Sequence, residues 1–182
     1  MEKVYANEFT GAGVSQSSSS QELVMATGTY HVTCTGPDGQ IKWEDTIQNL
    51  VTTVGKNDLL DKYFTGSAYT AAWYVGLVDG ASTPTYALTD TAASHTGWTE
   101  NVAYSNTNRP TPAWNSAASA SKATTATAFN INGTATIAGT FLTASNAKSG
   151  TTGVLYSAGS FTGGNKSVAN GDTLNVTYTA SV

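Results

Sequence analysis

From Thr29 to Thr35 the sequence TYHVTCT sets Tyr30, Val32 and Cys34 on one face and His31, Thr33 and Thr35 on the other. This is the period of two that a half-buried strand requires. Gly36-Pro37-Asp38-Gly39 follows; proline presets the negative φ of a turn and glycine tolerates a positive one, so a chain reversal is predicted. Ile41 and Trp43 resume the alternation, and residues 29–47 read as a hairpin. Thr53 stands where it can cap the next segment, VGKNDLLDKYF, in which Leu59, Leu60, Tyr63 and Phe64 recur at helical spacing. One helix is predicted there, the only long one. Residues 71–78, AAWYVGLV, are apolar on both faces, with Trp73, Val75 and Leu77 on one and Tyr74 and Val78 on the other, and Asp79-Gly80 ends the run. That is the pattern of a central strand.

Residues 81–122 lose this periodicity: Pro84, Pro110 and Pro112 and a Ser/Ala/Asn-rich run at 115–121 interrupt them, while Trp98, Tyr104 and Trp114 offer anchors. They read as long packed connections holding one or two short strands. Beyond Lys122 the pattern is all β: Ala123–Ile131, a turn at Asn132-Gly133, Thr134–Thr143, Gly153–Phe161, and Thr173–Ser181 after Asn170-Gly171. In the last of these Leu174, Val176, Tyr178 and Ala180 share a face. Seven or eight strands with hairpin signals, one helix and no alternating βα units predict a mainly β fold, an antiparallel sandwich or jelly roll. Its core should include Trp73, Val75, Leu77, Leu174, Val176 and Tyr178. The run SQSSSS at 15–20 divides residues 1–22, an N-terminal arm and Ser-rich linker, from a single β-sandwich domain over 23–182. The arm carries Val4, Tyr5 and Phe9, which a mere frayed terminus does not need; docking on a neighbouring subunit or another protein is the sharper reading.

Composition narrows the functions such a fold can serve. Leu, Ile, Val and Phe make up only 31 of 182 residues, low enough to raise disorder, but the net charge of −4 is too small to sustain it. Thr, Ala, Ser, Gly and Asn supply 105 residues and charged ones only 11%, so hydroxyls and amides keep the surface wet. Eight Lys plus Arg and a pI near 4.9 leave no basic face for a run of phosphates, which argues against nucleic acid. No stretch of about 18 apolar residues exists and MEKVYANEFTGAGVS lacks the apolar segment of a secretory signal, so neither a membrane span nor a leader is expected. The single Cys34 excludes an internal disulfide and a cysteine-based zinc cluster, and its place in a strand pattern reads as a small buried hydrophobe.

The groups that could do chemistry are few. His31 is assigned to the outer face of a strand and His95 to the loop Ala93-Ser94-His95-Thr96, with no pairing at metal-ligand spacing. Asp90, Ser94 and His95 could be nominated as a nucleophile set, but hydroxyls are so abundant that one beside a histidine is expected by chance, and no G-x-S-x-G elbow supports it. Glu44 and Asp45 are adjacent and point to opposite faces of a strand, so they cannot act as a carboxylate pair. Asp58 and Asp61 share a helical face with Lys62 following, as solvated residues do. Calcium, phosphate-loop and dinucleotide signatures are missing, and the N-x-[ST] matches at Asn132, Asn165 and Asn175 are what such a composition yields. No enzyme and no cofactor are expected. Trp43, Trp73 and Tyr74 fall in core-like patterns, whereas Trp98 and Trp114 sit in loops and stay open as sugar platforms, interface anchors or loop staples.

The segments YHVTCTGPDGQIKWEDTIQNLVTTVGKNDLLDKYF, WYVGLVDG, SHTGWTENVAYSNTNRPTPAW and GTTGVLYSAGSFTGGNKSVANGDTLNVTYTASV together resemble a family of small virion proteins encoded by tailed bacteriophages. The resemblance covers residues 29–182. It implies a capsid decoration or cement protein made in the host cytoplasm and carried on the capsid surface, with a tail or fibre component as the neighbouring alternative. It carries no catalytic residue over. The expected partners are the major capsid protein and further copies of the chain, as a homodimer or homotrimer. Candidate contact residues are Val4, Tyr5, Phe9, Trp98 and Trp114. A carbohydrate-binding sandwich shares much of this composition and would add a glycan contact.

Overall fold

In a computed structural model the described residues are 25–64 and 72–182. The hairpin predicted at the start forms from β1 (Thr27–Thr35) and β2 (Ile41–Gln48). Its turn closes with Gly36 N–H donating to the Gln40 carbonyl and Gly39 N–H to that of Gly36, and Gly39 takes the positive φ of 78° that its lack of a Cβ permits. Then come β3 (Leu50–Val51), α1 (Thr53–Phe64), β4 (Tyr74–Asp79) and β5 (Glu100–Asn101). After the long connection follow β6 (Ser121–Ala123), β7 (Thr127–Asn130), β8 (Ala135–Thr143), β9 (Leu155–Ser160), β10 (Lys166–Val168) and β11 (Thr173–Ser181).

These strands make two sheets in which every pairing is antiparallel. The first runs β2-β1-β11-β6, with β7 also on β11; the second runs β3-β9-β8-β4-β5, with β10 on β8. The mainly β, antiparallel sandwich is therefore the fold. Its first and last strands are neighbours over their whole length, Thr27 opposite Ser181 and Thr35 opposite Thr173. The chain holds more strands than the seven or eight expected, because β3, β5, β6 and β10 are two or three residues long and too short to show a period. β4 lies next to the two-residue β5, one place in from the sheet's edge.

Between the sheets lies the larger core: Tyr30, Val32, Cys34, Val75, Leu77, Leu174, Val176 and Tyr178 are all buried there, as the alternation required. Trp73 departs from expectation. It precedes β4 and is only half-buried, packed on the rim of the core instead of within it. A second cluster occupies the outer face of the second sheet, where Val78, Ala138, Phe141, Leu155 and Ala158 are covered by Ala92, Trp98 and Tyr86 from the long connection. The fold is thus two sheets plus a layer of loop, and the two-sided apolar pattern of β4 reflects burial on both faces.

α1 begins one residue earlier than the capping pattern suggested. Thr52, not Thr53, accepts the Gly55 N–H at 3.1 Å through Oγ1, and the same hydroxyl donates to the Leu155 carbonyl. Gly55 is the buried residue of the helix: a Cβ there would lie 2.6 Å from the Tyr156 carbonyl oxygen, so the helix meets β9 backbone to backbone. The apolar residues whose spacing marked the helix remain outside, with Leu59 41%, Leu60 53%, Tyr63 75% and Phe64 75% exposed.

Candidate functional site

Two recesses could hold a partner group. The smaller, of about 260 Å³, lies on the outer layer, with His95, Trp98, Glu100, Arg109 and Phe141 among its walls. Its charged groups are fully engaged with one another. Arg109 donates from Nε and Nη2 to the two Glu100 oxygens at 2.9 and 2.8 Å and from Nη1 to the Ser145 carbonyl, with its guanidinium 5.1 Å over the Phe141 ring. Both side chains of the pair are about 95% buried, and the Ser149 amide also donates to Glu100. A forked, desolvated pair of this kind fixes loops to a sheet.

The nominated nucleophile set does not assemble beside it. His95 makes its Nδ1 contact with the Trp98 carbonyl, and Asp90 accepts from Trp98 Nε1 and the Ala87 amide, so neither addresses Ser94. Trp98 itself is 4% exposed, stacked under His95 at 4.0 Å and tilted against Phe141 at 5.1 Å. It is a loop staple, because the apolar ring and its one N–H are both consumed in holding residues 81–99 down.

The larger recess, a groove of about 380 Å³, opens at the end of the sandwich where β11 finishes. Its floor is a run of aromatic rings in edge-to-face contact: Trp73 on Tyr156 at 5.5 Å, Tyr156 on Tyr178 at 6.5 Å and Trp114 on Tyr178 at 6.1 Å. Leu59 and Tyr63 of α1 form one wall and Ala180 another. Charged groups are confined to Asp58, Lys62 and Lys122. Asp58 and Lys62 face each other at 3.8 Å and Lys122 Nζ donates to the Asn115 carbonyl at 2.7 Å. Burial pushes the Tyr156 hydroxyl above the usual phenol range, and Tyr178 likewise, its OH accepting from Asn49. The groove therefore offers mainly carbon surface and ring faces, with its charged groups at Asp58, Lys62 and Lys122.

At the opposite end the carboxylate of Asp172, 1% exposed, accepts Lys42 Nζ at 2.6 Å and the Ala169 amide at 2.8 Å. Burial alone would raise the carboxyl; these donors outweigh it and hold Asp172 below the ordinary range. Buried Cys34 lies beside it, and burial together with the Asp172 charge pushes the thiol up to about 11, so it is an inert thiol. Asp45 is held by Lys166, Thr162 and the amides of Thr46 and Gly163, which outweigh its burial and bring it down to about 2. Glu44, on the other side of β2, faces His31 at 3.9 Å. Among the described residues no group of three His, Cys, Asp or Glu side chains is placed to hold a metal ion.

Of the five contact residues expected from sequence, Trp114 lines the groove and Trp98 does not, while Val4, Tyr5 and Phe9 lie outside the described residues. Tyr63, Trp73 and Tyr156 were not singled out for this role. The one signal available was the apolar cluster of α1, read only as the mark of a helix. No helix of the described residues is long and apolar enough to cross a membrane. No family model matches the chain, and no curated protein matches it.

Proposed function

We propose that this protein is a non-enzymatic structural component of a tailed-bacteriophage virion that binds the outside of the capsid and stabilises it. The capsid assignment comes from the sequence resemblance over residues 29–182. One observation supports the non-catalytic part: the buried charged groups Arg109, Glu100 and Asp172 are engaged in internal ties, while the larger of the two recesses described is an aromatic groove flanked by the exposed apolar residues of α1. Exposed apolar surface beside a preformed cleft is equipment for docking. Turnover needs an acid, base, nucleophile or metal aimed into a recess. Hydroxyl-rich strands with few long charged side chains suit a protein that must be ordered at a contact in many copies, since little side-chain entropy is lost there.

The experiment is to add purified full-length chain to expanded shells, lacking it, of the phage that encodes it. Saturation at a fixed ratio to the major capsid protein, with a higher temperature of shell disruption, is the expected result. Absence of binding to shells, with labelling of tails or fibres instead, replaces this reading by the tail or fibre alternative. The aromatic floor also favours a second reading, a carbohydrate-binding module, although a sugar needs more free polar partners than Asp58, Lys62 and Lys122 supply. Retention on an immobilised polysaccharide that is lost in Trp114→Ala would favour it.

A further inference from the structure

We propose that the groove between α1 and the end of β11 is a socket for Val4–Phe9 of a second copy, so that copies are tied together by exchanged arms. This deepens the assembly role proposed above and rests on it. The argument begins with where residues 1–24 join the fold. Gly28 pairs with Ala180, and Ala180 pairs with Lys122 on the next strand, and both Ala180 and Lys122 line the groove. The arm therefore enters two strand spacings, about 10 Å, from the far wall of the recess. Nothing comparable enters at the Asp172 end.

Chemistry matches the two parts. The described fold leaves Leu59, Leu60, Tyr63 and Phe64 exposed around an aromatic floor, and residues 4–9 supply the apolar side chains of Val4, Tyr5 and Phe9. The groove volume lies in the range of about 300–1,000 Å³ that accepts a compact apolar group. Glu8, beside Phe9, would come against a rim bearing Lys62 and Lys122, with Asp58 the opposing carboxylate.

Length puts a neighbour's groove within reach. Residues 10–24 separate Phe9 from Met25; extended, they span up to about 50 Å, enough to reach the groove of an adjacent copy, and the crosslinking test below separates that from docking on the chain's own groove. They include SQSSSS, which has no apolar side chain to bury along the way. Reciprocal exchange closes a dimer, and head-to-tail exchange closes a ring. Ordering the arm costs entropy, which the burial of its rings offsets.

The test uses the full chain in two single-substitution forms, Phe9→Cys and Tyr63→Cys, mixed and oxidised. Cys34 is buried in both, and Tyr63 is exposed enough to be replaced without loss of folding. A disulfide between these two chains is necessarily intermolecular. It should form at least tenfold faster than between Phe9→Cys and a control Asp38→Cys at the far hairpin. In parallel, Tyr5→Ser with Phe9→Ser should weaken self-association at least tenfold, about 1.4 kcal/mol, read by sedimentation. Equal crosslinking to the control, crosslinking only within a chain carrying both substitutions, or a monomeric parent chain at every concentration tested would each overturn the proposal. Neither assay contains a phage shell, so failure to decorate particles and failure to exchange arms are separate results.

Discussion

At one end of the space between the sheets, Asp172 is buried against Lys42, the Ala169 amide and Cys34, and the Ile131 amide reaches the Asp172 carbonyl. At the other end, Trp73, Tyr156, Tyr178 and Trp114 meet edge to face and stop short of closing the gap, with α1 leaning over them through Gly55. The same two sheets thus finish in a charge-dependent seal and in an apolar opening. A polar seal must be satisfied to be tolerated, which fixes strand register there. An aromatic rim tolerates gaps, so stability and recognition can be varied at opposite ends.

The sharpest way to break the contrast is to damage what both ends share. Val176→Asp places an unpaired carboxylate midway between them, at a fully buried position, and should cost several kcal/mol; urea unfolding followed by circular dichroism reads it. An unchanged midpoint would place this face outside the core. At the sealed end, Asp172→Asn removes the charge that Lys42 and the Ala169 amide address and should cost about 1.5–3 kcal/mol. Acid probes the same end. The folded-state carboxyls of Asp172 and Asp45 are depressed, so their contribution is present above the ordinary carboxylate pKa of 3.8 and is lost as pH falls, for Asp45 through about 2. The urea midpoint should drop between about pH 4 and pH 2, and the slope should flatten in Asp45→Asn and Asp172→Asn.

The open end should respond least. Trp114→Ala removes a half-buried ring and should cost about 1–2 kcal/mol, while Tyr63→Ser with Phe64→Ser should stay within about 0.5 kcal/mol of the parent. Losses there as large as at Asp172 would mean that the rim is core after all, and the distinction between the ends would fail.

What could be read in advance follows the same division. β1, β2 and β11 were legible because one face is buried and one is wet, and Tyr30, Val32 and Cys34 sit where a period of two puts them. The turn was legible through Pro37 and Gly39. The outer layer was not, since Tyr86, Ala92 and Trp98 come from a connection without period and find their partners on β4, β8 and β9. The groove was half legible: the cluster on α1 was visible and marked a helix, but it did not show which face would stay open. This one docks by a glycine, which carries no hydrophobic signal. The arm lies beyond the described residues, and its assignment still rests on Val4, Tyr5 and Phe9.

The pairing of β1 with β11 has a consequence for how the molecule comes to exist. A ribosome releases β1 well before its principal partner β11, with almost the whole described chain between them. The early hairpin must therefore wait with one strand edge and the apolar face of Tyr30, Val32 and Cys34 uncovered. Closure by β11 is a contact of high sequence separation, the kind that slows folding and lengthens exposure to aggregation. Closure of this sheet accordingly waits until β11 is free to zip against β1.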